Sequence, residues 1–339
     1  IEVDNNRTLT AANVIIATGA RPRSLPGLTI DGDRIITSRE ALELRELPGT
    51  IGIIGGGAIG VEFAYYFRAY GSKVTIFEMM PHLVPTEDEE VSLELERAFR
   101  KHGIEYVIGA DVDKAEALND KLSIKYRVDG EAQEFECDRV LLGVGVQPNS
   151  DGLGLENVGA ETERGFIRVD DKMRTNVPGI FAVGDVTGKL MLAHVAFSQG
   201  VVAAETAAGL DTYPLDYKNM PRAVYCQPQI AALGLTEAQA RADGFNVQIG
   251  RFPFRGSGKA IAIGDYEGFV KLITDGDSGD ILGAAMIGPD VTEMLAEIGA
   301  VKLLEGTATE IGLTIHAHPT LSEAVKEAAL AVSNEAIHV

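Results

Sequence analysis

The sequence predicts an α/β protein, a Rossmann-like unit followed by a C-terminal α+β region. Two observations predict it. Gly55-Gly56-Gly57-Ala58-Ile59-Gly60 follows the apolar run Thr50–Ile54 and opens an amphipathic segment, Val61 to Tyr70, so that strand, tight turn and helix succeed one another. From Tyr213 the pattern changes to strands parted by turns, with helical segments near 236–243, 290–304 and 320–333.

The elements follow in order. Residues 1–22 alternate and then give the buried-type strand Val14-Ile15-Ile16, ending in Ala17-Thr18-Gly19. A glycine there lets backbone approach a ligand closely; a turn before Pro22 is the plainer account. A proline-rich linker leads to a short helix near 38–45. After the glycine turn come the strand Lys73–Phe77, a helix over 88–101 stopped by Gly103, and a strand over 104–107. Segments 122–128 and 134–137 flank Asp129-Gly130 as a hairpin, and Arg139 to Gly145 closes the unit. Further on, Ile180–Val183 reads as a strand ending in Gly184-Asp185, with a helix over 193–208. The strands Phe269–Ile273 and Ile281–Ile287 pair across Asp275–Gly279.

Composition narrows the function. The 339 residues suit two or three domains with sizeable cores. Lys+Arg 30 against Asp+Glu 50 leaves a net charge of −20, which excludes a basic footprint for nucleic acid and repels an anionic membrane. No apolar run approaches the ~18 residues of a membrane span. Cys137 and Cys226 lie far apart and outside any C-x-x-C, so neither a disulfide scaffold nor a cysteine-based metal site is expected. Such cysteine usage fits a reducing cytoplasm. The chain opens on Ile1-Glu2-Val3, with neither an initiator Met nor a signal peptide, and reads as the inside of a strand.

Gly55, Gly57 and Gly60 fit G-x-G-x-x-G. The first makes the turn, the second admits a pyrophosphate, and the third lets helix pack on strand. Glu78 ends the next strand, 18 residues past Gly60, where a carboxylate can accept both ribose hydroxyls of an adenosine. No Arg or Lys follows to pair a 2′-phosphate, so NAD is expected rather than NADP. Without the glycines, Glu78 would read as a solvated strand-end acid. Asp185 admits two readings, a ligand for a hydroxyl or a helix-capping residue.

The last motif is His316-Ala317-His318-Pro319-Thr320-Leu321-Ser322-Glu323. Pro319 suits a first helical turn, and Thr320-x-x-Glu323 matches a capping box, which accounts for both residues without chemistry. It leaves two histidines unexplained. A His oriented by a carboxylate is an acid/base pair suited to neutral pH.

Together these stretches resemble the flavin-dependent pyridine nucleotide–disulfide oxidoreductases, and within them the dihydrolipoamide dehydrogenase branch. The likeness runs along essentially the whole chain, through Gly143–Asn149, Ala182–Asp185, Ala193-His194, Gly234–Glu237 and the His motif. It implies that His318, supported by Glu323, is the acid/base for a dithiol and reaches the partner subunit's site. It implies that Glu62 lies beside nicotinamide and flavin, that Gly145 belongs with the NAD site, and that Asp185 binds the ribityl chain of FAD. It implies too that Thr18, Gly19 and Gly184 are cofactor-binding and that Ala193 and His194 lie close to the ring. The implied division is residues 1–47 with 150–212 as the remnant of an FAD domain, 48–149 as the NAD domain, and 213–339 as an α+β dimerisation domain. The implied partners are a second copy and the lipoyl domains of 2-oxoacid dehydrogenase complexes.

The departures set the functional expectation. No earlier G-x-G-x-x-G and no redox C-x-x-x-x-C is present, so half of the FAD site and the disulfide are missing. Gln147 and Gln199 stand where the family often has Arg and Glu. Cys137, ending a hairpin strand, and Cys226, in an apolar strand, read as small core residues. The chain reads as a member lacking on the order of 100 N-terminal residues, inactive alone but NAD-binding and dimeric. The alternatives are a natural non-catalytic module or a piece of a related reductase. A glutathione-type enzyme would want basic residues after Glu78, and a mercuric-type enzyme a cysteine pair within Ala336–Val339.

Overall fold

The computed structural model describes residues 1–3 and 7–338; Val339, the last of the C-terminal residues considered above, lies outside them. The chain divides into two compact units. One joins Ile1–Arg23 to Gly145–Tyr217, the other joins Ser24–Val144 to Lys218–Val339.

In the larger unit, Thr50–Ile54 is the central strand of a five-stranded parallel sheet. The order is Ile35–Ile36, Arg139–Leu142, Thr50–Ile54, Lys73–Glu78, Ile104–Ile108. A parallel sheet needs cover on both faces, and the apolar runs of its strands reflect that. Helices Ala58–Ala69 and Glu89–His102 cover one face, packing Val61, Phe67, Leu95 and Phe99 against Ile51, Ile53 and Ile76. Asp88 caps the second helix by accepting from Glu90 N at 3.2 Å, and Gly103, at φ 73°, stops it. The other face lies under an antiparallel sheet ordered Glu131–Cys137, Lys121–Val128, Asp111–Leu118. The expected hairpin forms two of these strands; Asp111–Leu118 adds a third.

The same unit carries a five-stranded antiparallel sheet ordered Arg222–Val224, Gln229–Gly234, Ile281–Gly288, Phe269–Asp275, Val247–Pro253. Helices Val291–Leu303 and Glu323–Val332 bury it. Two expectations change here. Cys226 lies in the bend between two strands, because the Arg222–Val224 strand ends before it. The last helix starts at Glu323, not Thr320, since Thr320 Oγ1 donates to Ala317 O and caps nothing. The apolar faces of these two helices are used within the chain. Val291, Met294, Leu295, Ile298, Val325 and Ala328 are buried in its own core, whereas Leu303, Leu304, Leu313 and Ile315 are exposed.

The smaller unit holds a parallel strand pair, Val14–Ile16 with Ile180–Ala182, an antiparallel pair, Ala20–Pro22 with Val146–Pro148, and the helix Ala193–Ala207. Its cores are small, and Phe197 (77% exposed) and Val201 (57%) leave apolar helix surface uncovered.

Candidate functional site

The glycine turn is built around contacts that only glycine permits. A Cβ at Gly60 would lie 1.8 Å from Gly55 O, and one at Gly55, where φ is 103°, would lie 2.4 Å from Gly143 O. Nothing lies within 4 Å of a Cβ placed on Gly57, so backbone there faces open space. The 12-residue helix Ala58–Ala69 starts at that point with no side-chain cap and no acid in its first turn. Its first N–H groups and macrodipole therefore suit an anion such as a pyrophosphate.

Glu78 is only 8% exposed and closes the turn from the next strand. Its carboxylate accepts from Gly56 N at 2.5 Å and Met80 N at 2.7 Å. An ionised carboxylate has about four acceptor positions, so about two remain for ribose hydroxyls. The residue thus shapes the loop as well as offering acceptors, a duty that spacing alone did not reveal. NAD fits this chemistry.

Glu62 sits in the first half of the same helix and accepts from Tyr225 N at 2.8 Å, tying the helix to the segment that follows the Arg222–Val224 strand. Its burial raises the carboxyl pKa and outweighs that hydrogen bond. A larger tie lies nearby. Lys271, 1% exposed, reaches Asp88 at 3.0 Å, Glu90 at 2.6 Å and Glu237 at 2.7 Å. Burial pulls the Lys271 pKa down, but the three carboxylates hold it above the ordinary value. Nothing in Phe269–Ile273 signals this role, because the partners come from distant segments.

Gly145 falls in the smaller unit, at φ 91°, with nothing within 4 Å of a Cβ. There Thr18 and Asn149 interlock: Thr18 Oγ1 donates to Asn149 O at 2.7 Å, Asn149 Nδ2 to Thr18 O at 3.0 Å, and Asn149 N to Gly19 O at 2.9 Å. Gly184-Asp185 opens a short 3-10 turn at the end of the Ile180–Ala182 strand. Gln199, fully buried, accepts from Gly184 N at 2.6 Å and donates to the Tyr217 hydroxyl at 2.9 Å. It fixes the turn that presents Asp185, a part the sequence did not disclose. No donor among the described residues reaches the half-buried Asp185 carboxylate, which suits it to a ligand hydroxyl such as those of a ribityl chain. Ala193 and His194 form the exposed first turn of the following helix.

The two histidines of the last motif separate. His316 is locked, with Nε2 on Glu297 Oε1 at 2.8 Å, Nδ1 on Thr314 O at 3.0 Å and a side chain 6% exposed. His318 is 77% exposed, with Nδ1 on Glu323 Oε1 at 3.0 Å. A carboxylate can only accept here, so Nδ1 carries the proton and Nε2 is left as the acceptor, poised as a base. Glu323 also accepts from Thr320 N at 2.8 Å. Its burial works to raise its pKa, but that hydrogen bond and His318 outweigh it and keep the carboxyl below its ordinary value.

Both cysteines are free and buried. Burial pushes the Cys137 thiol up to about 11 and the Cys226 thiol up as well. No group of three or more His, Cys, Asp or Glu among the described residues is placed to hold a metal ion, and no helix there is long and apolar enough to cross a membrane.

Residues 1–200 match the family described as pyridine nucleotide-disulphide oxidoreductase, and 220–329 match its dimerisation domain. A dihydrolipoyl dehydrogenase of Bacillus subtilis is 48% identical over 337 residues, covering 99% of this chain and 71% of the relative. One of Mycobacterium leprae is 48% identical over 321 residues, covering 94% and 68%. Among solved structures, LpdA of Mycobacterium tuberculosis superposes with a TM-score of 0.87 at 31% identity, covering 94% of this chain and 69% of its own. The HOCl-induced flavoprotein disulfide reductase RclA of Escherichia coli gives 0.88 at 30%, covering 98% and 75%.

Proposed function

Because the chain belongs to the pyridine nucleotide-disulphide oxidoreductase family, an oxidoreductase family with its own dimerisation domain, we propose that it serves NAD-dependent oxidation of dihydrolipoamide. NAD is held on the Gly55–Gly60 turn and Glu78. FAD, when bound, carries the electron pair between disulfide and NAD, with Asp185, Gly184, Thr18, Gly19, Ala193 and His194 on its side of the site. His318 Nε2 takes the thiol proton of the dithiol, while Glu323 holds Nδ1–H and steadies the imidazolium that results. The observation that carries the reading is the His318–Glu323 pair with Nε2 left open.

The three-part division into residues 1–47 with 150–212, 48–149 and 213–339 is kept as a functional one: flavin, nucleotide and dimer. The 339-residue chain alone does not turn over lipoamide in this reading, because it carries no redox C-x-x-x-x-C and no second G-x-G-x-x-G for FAD, and its two thiols are buried. Two free thiols suit a reducing compartment, and the reading places the chain in the cytoplasm. Lipoyl domains of 2-oxoacid dehydrogenase complexes are the partners it implies.

NADH titration tests the nucleotide half. Glu78→Gln is expected to weaken NADH about tenfold, the scale of a lost charge-assisted hydrogen bond. Unchanged affinity would remove Glu78 from the site. Sedimentation tests the dimer, which is assigned to the exposed Leu303, Leu304, Leu313 and Ile315 rather than to the buried helix faces. The chain is expected to sediment as a dimer at micromolar concentration and Ile315→Asp as a monomer. A monomeric parent chain would refute the interface.

A further inference from the structure

We infer that His338, held by the buried Glu327, is a positioning residue for the His318–Glu323 pair: when its ring carries a proton it neutralises Glu327 and keeps a second negative charge from acting on the His318 base. This rests on the reading of His318 as the base.

Helix Glu323–Val332 places Glu323 and Glu327 one turn apart on the same side. Glu327 is 4% exposed. It would be a costly buried charge without partners, and the C-terminal segment turns back to supply them. Glu335 N donates to Leu330 O at 2.9 Å, and Asn334 takes the left-handed conformation at φ 59°. Ile337 N and His338 N then donate to Glu327 Oε2 at 2.8 and 3.2 Å, and His338 Nδ1 meets Oε1 at 2.8 Å. A carboxylate accepting three such bonds stays ionised. Burial works to raise its pKa, but the His338 ring and the two backbone donors hold it below its ordinary value.

Both His–Glu pairs open onto one cleft of about 40 Å³, room for about one water. The cleft's other walls are Phe252, the Gly256–Gly258 turn and Ala324, all without charge. The titratable groups facing it are therefore His318, Glu323, Glu327 and His338. Of the cations close in sequence to these walls, Arg255 and Lys259 line other clefts and Lys326 does not line this one. An uncompensated Glu327 would favour the protonated form of His318 and occupy the Nε2 lone pair that a base needs.

Acylation by diethyl pyrocarbonate, which attacks neutral imidazole, tests the inference on the intact 339-residue chain. His318 modification would be followed by peptide mass spectrometry at pH 6. His338→Gln is expected to slow His318 acylation about threefold, the effect of a unit charge about a helical turn away at the protein surface. His338→Arg, which keeps the charge, and the double variant Glu327→Gln with His338→Gln, which removes both charges, are expected to react at the parent rate. An unchanged rate in His338→Gln overturns the inference. So does a slow rate in the double variant, since that would mean the tail acts by shape and not by charge. The readout involves no dithiol, so loss of the base reading would leave the rate pattern intact, and loss of the pattern would leave the base reading intact.

Discussion

Lys271→Met is expected to lower the melting temperature of the larger unit by on the order of 10 °C at pH 7. The wild-type lysine is buried and meets three carboxylates, of which Asp88 is itself 3% exposed. Removing one member of a buried ion cluster strands the others, which costs about 3–5 kcal/mol. Methionine fills much of the volume, so packing alone would not produce that loss. The pH dependence follows in sign. The Lys271 pKa is raised on folding, so its contribution is complete below the unfolded value of about 10.4 and is lost as pH rises through the folded value. The Glu237 pKa is lowered, chiefly by its hydrogen bond from Lys271, so its share is present above the unfolded value of about 4.3 and is lost as pH falls through the folded one. In the variant the carboxylates repel each other, so protonating them should narrow the gap to wild type below about pH 4. A shift under about 2 °C at pH 7 would mean that water already shields the cluster.

Gly60→Ala and Gly57→Ala are expected to fail in opposite ways. At Gly60 the new methyl would sit 1.8 Å from Gly55 O, so the helix must move off the turn by more than an ångström. A backbone shift of that kind costs about 3 kcal/mol, and NADH binding should fall a hundredfold or more as the turn opens. At Gly57 the methyl meets nothing within 4 Å, so the melting temperature should stay within about 2 °C. NADH should nevertheless weaken about tenfold or more, because the methyl fills the space a pyrophosphate approaches. Calorimetric melting and NADH titration of both variants separate the two cases. Full NADH affinity in Gly57→Ala would place the phosphates elsewhere.

The glycine turn was legible because its parts are adjacent: strand, three glycines, helix and a strand-end acid lie between Thr50 and Glu78. The strand Asp111–Leu118 was not, because it has the exposure pattern of an outer strand and alternates charge with small apolar residues. Nor could spacing choose between His316 and His318. That choice depends on Glu297, which reaches His316 from another helix and takes it out of play. The apolar stripes of 290–304 and 320–333 were visible, but a stripe does not say whether it faces its own sheet or another chain. Here the sheet claims it. Lys271, one position in an apolar strand, looks like a solvent-facing residue until Asp88, Glu90 and Glu237 are brought around it.

The smaller unit is discontinuous, and that has a kinetic consequence. Its two segments meet through Thr18 and Asn149, 131 positions apart. Closing so long a loop in an unfolded chain is entropically expensive and slow. Yet Arg23 N donates to Gly145 O at 3.1 Å, so the stretch between them leaves and returns at one point. Once that stretch has folded, its ends are already neighbours and the effective loop is short. Closure then costs about 2 kcal/mol less. The stretch that interrupts the smaller unit in sequence is what makes its assembly affordable in time.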